Sequence, residues 1–89
     1  ILSNEPGYYE KNKFGIRIEN LIYVKKRKNK KFFENFTMAP IDKDLIVESM
    51  LNKTEKKWLN SYHRKVFNNL KSAMNKSEFN DLKIACSAI

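Results

Sequence analysis

The sequence contains few of the residues that form disulfides, small metal sites and tight turns. It has one cysteine, one histidine, two glycines and two prolines. A single cysteine excludes an internal disulfide framework and suits a reducing compartment. The sequence has no glycine-rich phosphate loop and no zinc-type spacing of Cys and His. No apolar stretch approaches the roughly 18 residues of a membrane span, and no signal peptide is visible.

The lone cysteine and the lone histidine both fall on predicted apolar helix faces. Cys86 lies among Ile84, Ala85 and Ile89, which favours a buried apolar role over a reactive one. His63 follows Tyr62 on an apolar stripe, so we expect a packing histidine rather than a catalytic one.

Positive charge is abundant but is a weak guide to a partner. Lys and Arg number 18 against 10 Asp and Glu, a formal charge of +8. The densest run, Lys25 to Lys31, lies between two apolar segments and is typical of a solvated hairpin connection. We prefer that interpretation to a phosphate-binding patch and predict no nucleic-acid partner. A small basic nucleic-acid-binding domain is the weaker alternative.

The most informative segment places acidic residues beside a predicted strand. Residues 15–24 read GIRIENLIYV, whose β-branched content predicts one long strand. Alternation would put Gly15, Arg17 and Glu19 on one face. Glu19 forms either a partly buried ion pair with Arg17 or a metal site that Glu5 joins from the preceding turn. Gly15 marks either a bulge or strand start, or a place where substrate or another strand approaches closely.

The remaining elements predict an α+β fold with antiparallel strands followed by two amphipathic helices. Residues 1–3 end a strand, Pro6 and Gly7 form a turn, and residues 8–13 form a polar connection. Residues 31–38 form a further strand, with Pro40 ending it. Helix starts are predicted at Asp42 or Asp44, at Asn52 with Glu55 as a capping box, and at Ser77.

Four motifs in this order resemble one enzyme family. They are EPGYYE at residues 5–10, FGIRIEN at 14–20, FTMAPID at 36–42 and WLNSYH at 58–63. Together they resemble the C-terminal part of the catalytic domain of cytosolic aminopeptidase P, a pita-bread metallopeptidase. The resemblance implies that residues 1–40 end the pita-bread catalytic domain and that 41–89 are a helical extension packing on it. Because the chain begins at Ile1 without Met, we expect a piece of a longer enzyme.

The resemblance also implies a role for four side chains. Glu5 corresponds to a metal ligand that handles the proton of the nucleophilic water, and Glu19 to a carboxylate bridging two metal ions, usually Mn(II). Arg17 corresponds to an arginine that ties the ligand carboxylates together, and Tyr9 to a tyrosine that hydrogen-bonds near the metals. Two aspartates and a histidine from the rest of the enzyme would complete the site.

The function implied is removal of the N-terminal residue from peptides with proline in second position, by a hydroxide shared between the metals. A cytoplasmic homodimer, with the helices contributing contacts and no membrane association, is also implied. The alternative within the same fold is a non-catalytic pita-bread module that binds another macromolecule. The presence of both Glu5 and Glu19 argues against that alternative.

Overall fold

A computed structural model describes all 89 residues and confirms the α+β class. It divides into two compact units, residues 1–37 and residues 38–89. The first unit contains only strands and the second contains two α-helices with short 3₁₀ turns. No helix is both long enough and apolar enough to span a membrane.

The first unit consists of five antiparallel strands in two sheets. The strands are β1 (Leu2–Asn4), β2 (Gly7–Glu10), β3 (Phe14–Arg17), β4 (Asn20–Arg27) and β5 (Lys30–Asn35). One sheet has the order β1-β4-β5, and the other contains only β2 and β3. The predicted strand at residues 1–3 is therefore confirmed.

The single long strand predicted over residues 15–24 is wrong, because Ile18 and Glu19 interrupt it. Before the break, Arg17 pairs with Gly7 of β2. After the break, Asn20 pairs with Asn4 of β1. The chain thus changes sheets here, and the alternation that placed Glu19 on the face of Gly15 and Arg17 does not continue through the break.

Two connections are shorter than predicted. Residues 8–13 are not a polar connection throughout, since Tyr8, Tyr9 and Glu10 belong to β2, which turns back into β3 at Asn12 with a φ of 60°. The basic run is mostly strand as well, because β4 extends to Arg27 and β5 begins at Lys30. Only Lys28 and Asn29 turn, with φ values of 49° and 64°, as in the two-residue turns that match hairpin twist.

The end of β5 also differs from the prediction. The strand stops at Asn35, so Pro40 does not terminate it. Beyond that point, the side chain of Thr37 accepts a hydrogen bond of 2.7 Å from the backbone N–H of Leu21. The N–H of Phe36 donates to the carbonyl of Leu21 at 2.8 Å, so backbone and side-chain bonds together hold the chain beside Leu21 where the ladder ends.

The second unit begins with 3₁₀ turns at Lys43–Leu45 and Glu48–Met50 and continues into helix α1, Lys53–Leu70. The predicted capping box is confirmed, because Asn52 and Glu55 exchange side-chain bonds to each other's backbone N–H. Asp42 caps the first 3₁₀ turn, as one of the two predicted options had it.

Helix α2, Lys76–Ala85, starts earlier than predicted. Its N-cap is Asn75 rather than Ser77. The side chain of Asn75 accepts from the N–H of Glu78 at 2.9 Å, and Glu78 accepts from the N–H of Asn75 at 2.9 Å. This second capping box satisfies two helix donors, whereas Ser77 lies inside the first turn.

The core of the second unit lies where the two helices meet. Its buried residues are Tyr62, Val66, Leu82 and Cys86, and partly buried Met38, Ile41, Phe67, Leu70 and Met74 pack against them. His63 is fully buried, and its Nε2 accepts a 3.0 Å hydrogen bond from the N–H of Ile41. The predicted buried positions of Cys86 and His63 are confirmed, but Nδ1 of His63 has no hydrogen-bond partner, so the histidine is only partly satisfied.

Candidate metal-binding site

Arg17 lies between the two glutamates that the sequence singled out. Its Nε is 3.8 Å from Oε1 of Glu5, and its Nη2 is 3.7 Å from Oε2 of Glu19. The structure therefore brings together all three residues, although they belong to different strands and bends. Both distances are ion-pair contacts rather than tight hydrogen bonds.

Backbone pairing explains why the two acids converge. Glu5 occupies the bend between β1 and β2, and Glu19 occupies the break between β3 and β4. A backbone hydrogen bond of 3.0 Å runs from the N–H of Ile18 to the carbonyl of Pro6, joining the bend to the break. The residues adjacent to that bond are Glu5 and Glu19, so their side chains start from neighbouring positions. The interruption that sequence reasoning missed is what places Glu19 here.

The sequence analysis also missed Ser3, which orients Glu5. The hydroxyl of Ser3 donates to Oε2 of Glu5 at 2.6 Å, while the other carboxylate oxygen faces Arg17. Ser3 is held within β1 by its pairing with Leu21. The available signal was a hydroxyl residue two positions before the acid, a spacing that places side chains on one side of extended backbone.

Tyr9 lies on the same face of the β2–β3 hairpin as Arg17. In the register, Tyr9 pairs with Gly15 and Gly7 pairs with Arg17, so all four positions share one face. The ring of Tyr9 covers both glycines, and its hydroxyl is nearest to Gly7. The space above Gly15 is therefore filled by Tyr9, which corrects the expected approach of substrate or another strand. Gly15 is the second residue of β3, which agrees with the strand-start alternative.

The site is exposed to solvent, and its two carboxylates outnumber its one positively charged group, Arg17. The side chains of Glu5, Arg17 and Glu19 are each about half exposed. The chain contains no cluster of three or more His, Cys, Asp or Glu side chains able to hold a metal ion. Two carboxylates nonetheless fit hard divalent cations, which prefer oxygen ligands. This donor set suits part of a metal centre whose other ligands come from elsewhere.

The fold belongs to a known class of enzyme structure. Over 98% of this chain and 16% of the other, it matches the crystal structure of X-prolyl aminopeptidase from Caenorhabditis elegans, with a TM-score of 0.81 and 33% identity. That protein is described as a cytosolic enzyme with a di-nuclear active site. The chain is accordingly a fragment of a pita-bread fold.

The sequence comparisons define the family. The model for the C-terminal region of peptidase_M24 matches residues 31–89, and the chain belongs to that family. Two similar proteins are each described as a probable Xaa-Pro aminopeptidase P. One, from Fusarium vanettenii, is 51% identical over 74% of this chain, and one from Coccidioides posadasii is 44% identical over 88%. The chain spans 12% and 14% of their lengths. The resemblance identified from the motifs is confirmed.

Proposed function

We propose that this chain is the C-terminal part of a metal-dependent aminopeptidase that releases the N-terminal residue from peptides with proline in second position. The observation that carries the proposal is the placement of Arg17 between Glu5 and Glu19. The names of the similar proteins support the reaction and the substrate class.

In this proposal, Glu5 and Glu19 are ligands of two divalent metal ions, which we propose to be Mn(II). Two aspartates and one histidine from the rest of the enzyme complete the centre. When bound, the metal ions supply Lewis-acid polarisation of the substrate carbonyl and lower the pKa of a water nucleophile. The carboxylate and water-rich character of such sites suits Mn(II) and similar hard ions.

Each residue of this chain has a separate task. A carboxylate oxygen of Glu5 takes a proton from the nucleophile and returns it to the leaving amine. Arg17 holds the two carboxylates in place, and its positive charge offsets part of their mutual repulsion. The hydroxyl of Tyr9 donates a hydrogen bond near the reacting carbonyl.

We propose a corresponding division of the chain and its assembly. Residues 1–40 would end the catalytic domain, and residues 41–89 would form a helical extension. The enzyme would act in the cytoplasm as a homodimer, with α1 contributing contacts. Its half-exposed Trp58, stacked on Tyr62 with ring centroids 5.4 Å apart, supports a contact role for this helix.

The decisive experiment replaces Glu19 by Gln in the complete enzyme. Gln keeps the size of the side chain but removes the charge that binds cations. We expect loss of cleavage of a proline-second peptide and a lower metal content, measured by elemental analysis. Glu10→Gln is the matched control, since Glu10 lies in the β2–β3 hairpin that precedes Glu19 but pairs with Lys13 at 3.2 Å.

Three results would count against the proposal. Retention of both activity and metal by Glu19→Gln would refute the ligand role. Equal losses in Glu10→Gln would show a general loss of structure. A wild-type enzyme that binds metal but cleaves no proline-second peptide would favour the non-catalytic pita-bread module.

A further inference from the structure

The only two glycines of the chain lie beneath one aromatic ring. Gly7 and Gly15 sit on different strands of the β2–β3 hairpin, paired with Arg17 and Tyr9 respectively. Side chains at Gly7, Tyr9, Gly15 and Arg17 would all project from one face. We call Gly7 and Gly15 together the glycine surface.

Backbone conformation does not explain either glycine. Neither has a positive φ, so an alanine could adopt the same backbone geometry. In a strand, glycine is ordinarily less favourable than residues with a side chain. The reason for glycine at both positions must therefore lie in what an added side chain would touch.

The closest contacts of such a side chain would be with Tyr9. A Cβ added to Gly15 would lie 2.6 Å from Cδ1 of Tyr9, and a Cβ added to Gly7 would lie 2.8 Å from its Oη. At both positions the three nearest atoms all belong to the Tyr9 side chain. Because carbon atoms pack at about 3.5 to 4.0 Å, the ring would have to move by roughly 1 Å.

We propose that Gly7 and Gly15 are positioning residues that hold the Tyr9 ring flat along the hairpin. Gly15 supports the near edge of the ring, and Gly7 supports the end that carries the hydroxyl. This places the hydroxyl at the end of the hairpin where Arg17 contacts Glu5 and Glu19. Tyr9 is 66% exposed. Within this chain, the glycine surface therefore determines how far the ring lies from the hairpin backbone. The catalytic consequence rests on the proposed function.

The test is a double-mutant cycle in the complete enzyme, combining Gly15→Ala with Tyr9→Ala. In the wild-type background, we expect Gly15→Ala to lower Tm and to lower kcat by about 10- to 100-fold, the effect of misplacing a group by about 1 Å. KM should change little, because the substrate would still bind. Gly7→Ala should behave in the same way.

In the Tyr9→Ala background, the loss of stability caused by Gly15→Ala should disappear or reverse. Once the ring is gone, Gly15→Ala should leave Tm unchanged or raise it and should cause no further fall in kcat. Tyr9→Thr, with a side chain favourable in strands, provides a second background if Tyr9→Ala folds poorly. Ile16→Val, on the opposite face of β3, is the control and should change neither quantity.

Measuring both Tm and kcat distinguishes a failure of this inference from a failure of the proposed function. An equal fall in Tm on adding Gly15→Ala to wild type and to both Tyr9 variants would refute the positioning role, whatever the enzyme cleaves. If the Tm coupling is present but the wild-type enzyme cleaves no proline-second peptide, the proposed function fails and the catalytic part of the inference fails with it. If Gly15→Ala lowers Tm but not kcat, the hydroxyl position has no catalytic value.

Discussion

Acidification should destabilise the chain through one residue, His63. Its imidazole is fully buried, and Nε2 accepts the hydrogen bond from the N–H of Ile41. Only the form without a proton on Nε2 can accept that bond. Burial lowers the pKa of His63 first, and the nearby positive charge of Lys43 lowers it further.

The sign and size follow from the difference between the folded and unfolded states. The unfolded chain binds a proton at a pKa near 6.5, whereas the folded chain resists protonation until its lowered pKa is reached. The stability contributed by neutral His63 is therefore complete above pH 6.5 and decreases as pH falls below it. For one linked proton the slope is at most about 1.4 kcal/mol per pH unit. Because the chain has a single histidine, no other side chain ordinarily titrates there.

Urea unfolding of the 89-residue chain between pH 7.5 and 5.0 measures this effect directly. His63→Gln is the matched control, since its amide oxygen can accept from Ile41 but does not titrate in this range. We expect the wild type to lose stability on acidification and the variant to show a much flatter profile. A histidine pKa at or above 6.5 in the folded chain, measured by NMR, would refute the reasoning, as would stability that rises on acidification.

Two further predictions concern α2. Asn75→Ala should lower the free energy of unfolding by about 1 kcal/mol in urea titrations, because it removes the acceptor for the N–H of Glu78. Ser77→Ala should have a smaller effect, and the reverse order would restore Ser77 as the cap. Burial raises the pKa of the Cys86 thiol, which is only 8% exposed. A thiol reagent at neutral pH should therefore modify Cys86 slowly until urea unfolds the chain, and rapid modification of the folded chain would contradict its packing role.

Helix starts were predictable where the signal is local. Asn52 and Glu55 stand three residues apart, and a capping box needs only that spacing and those side chains. Asn75 and Glu78 have the same spacing. Both Asn75 and Ser77 have side chains that can cap a helix, and the prediction chose the wrong one. Asn75 is favoured because Glu78 accepts a hydrogen bond from its backbone N–H in return.

Strand boundaries were less predictable because strand pairing is not local. The composition of residues 15–24 favours extended backbone throughout, and extended backbone is what the structure has on both sides of Glu19. Whether the segment forms one strand or two depends on its partners. Arg17 pairs with Gly7, whereas Asn20 pairs with Asn4. No periodicity within the segment carries that information.

The geometry around Arg17 also bears on the simpler explanation that Glu5 and Glu19 only form ion pairs. At 3.7 to 3.8 Å and about half exposed, each pair contributes on the order of 1 kcal/mol or less. Placing two carboxylates near one guanidinium leaves an excess negative charge, and the two acids repel each other. Stability alone therefore gives little reason to assemble this group. Divalent cations would neutralise the excess charge, and this is the physical reason for proposing a metal-ligand role in addition to the ion pairs.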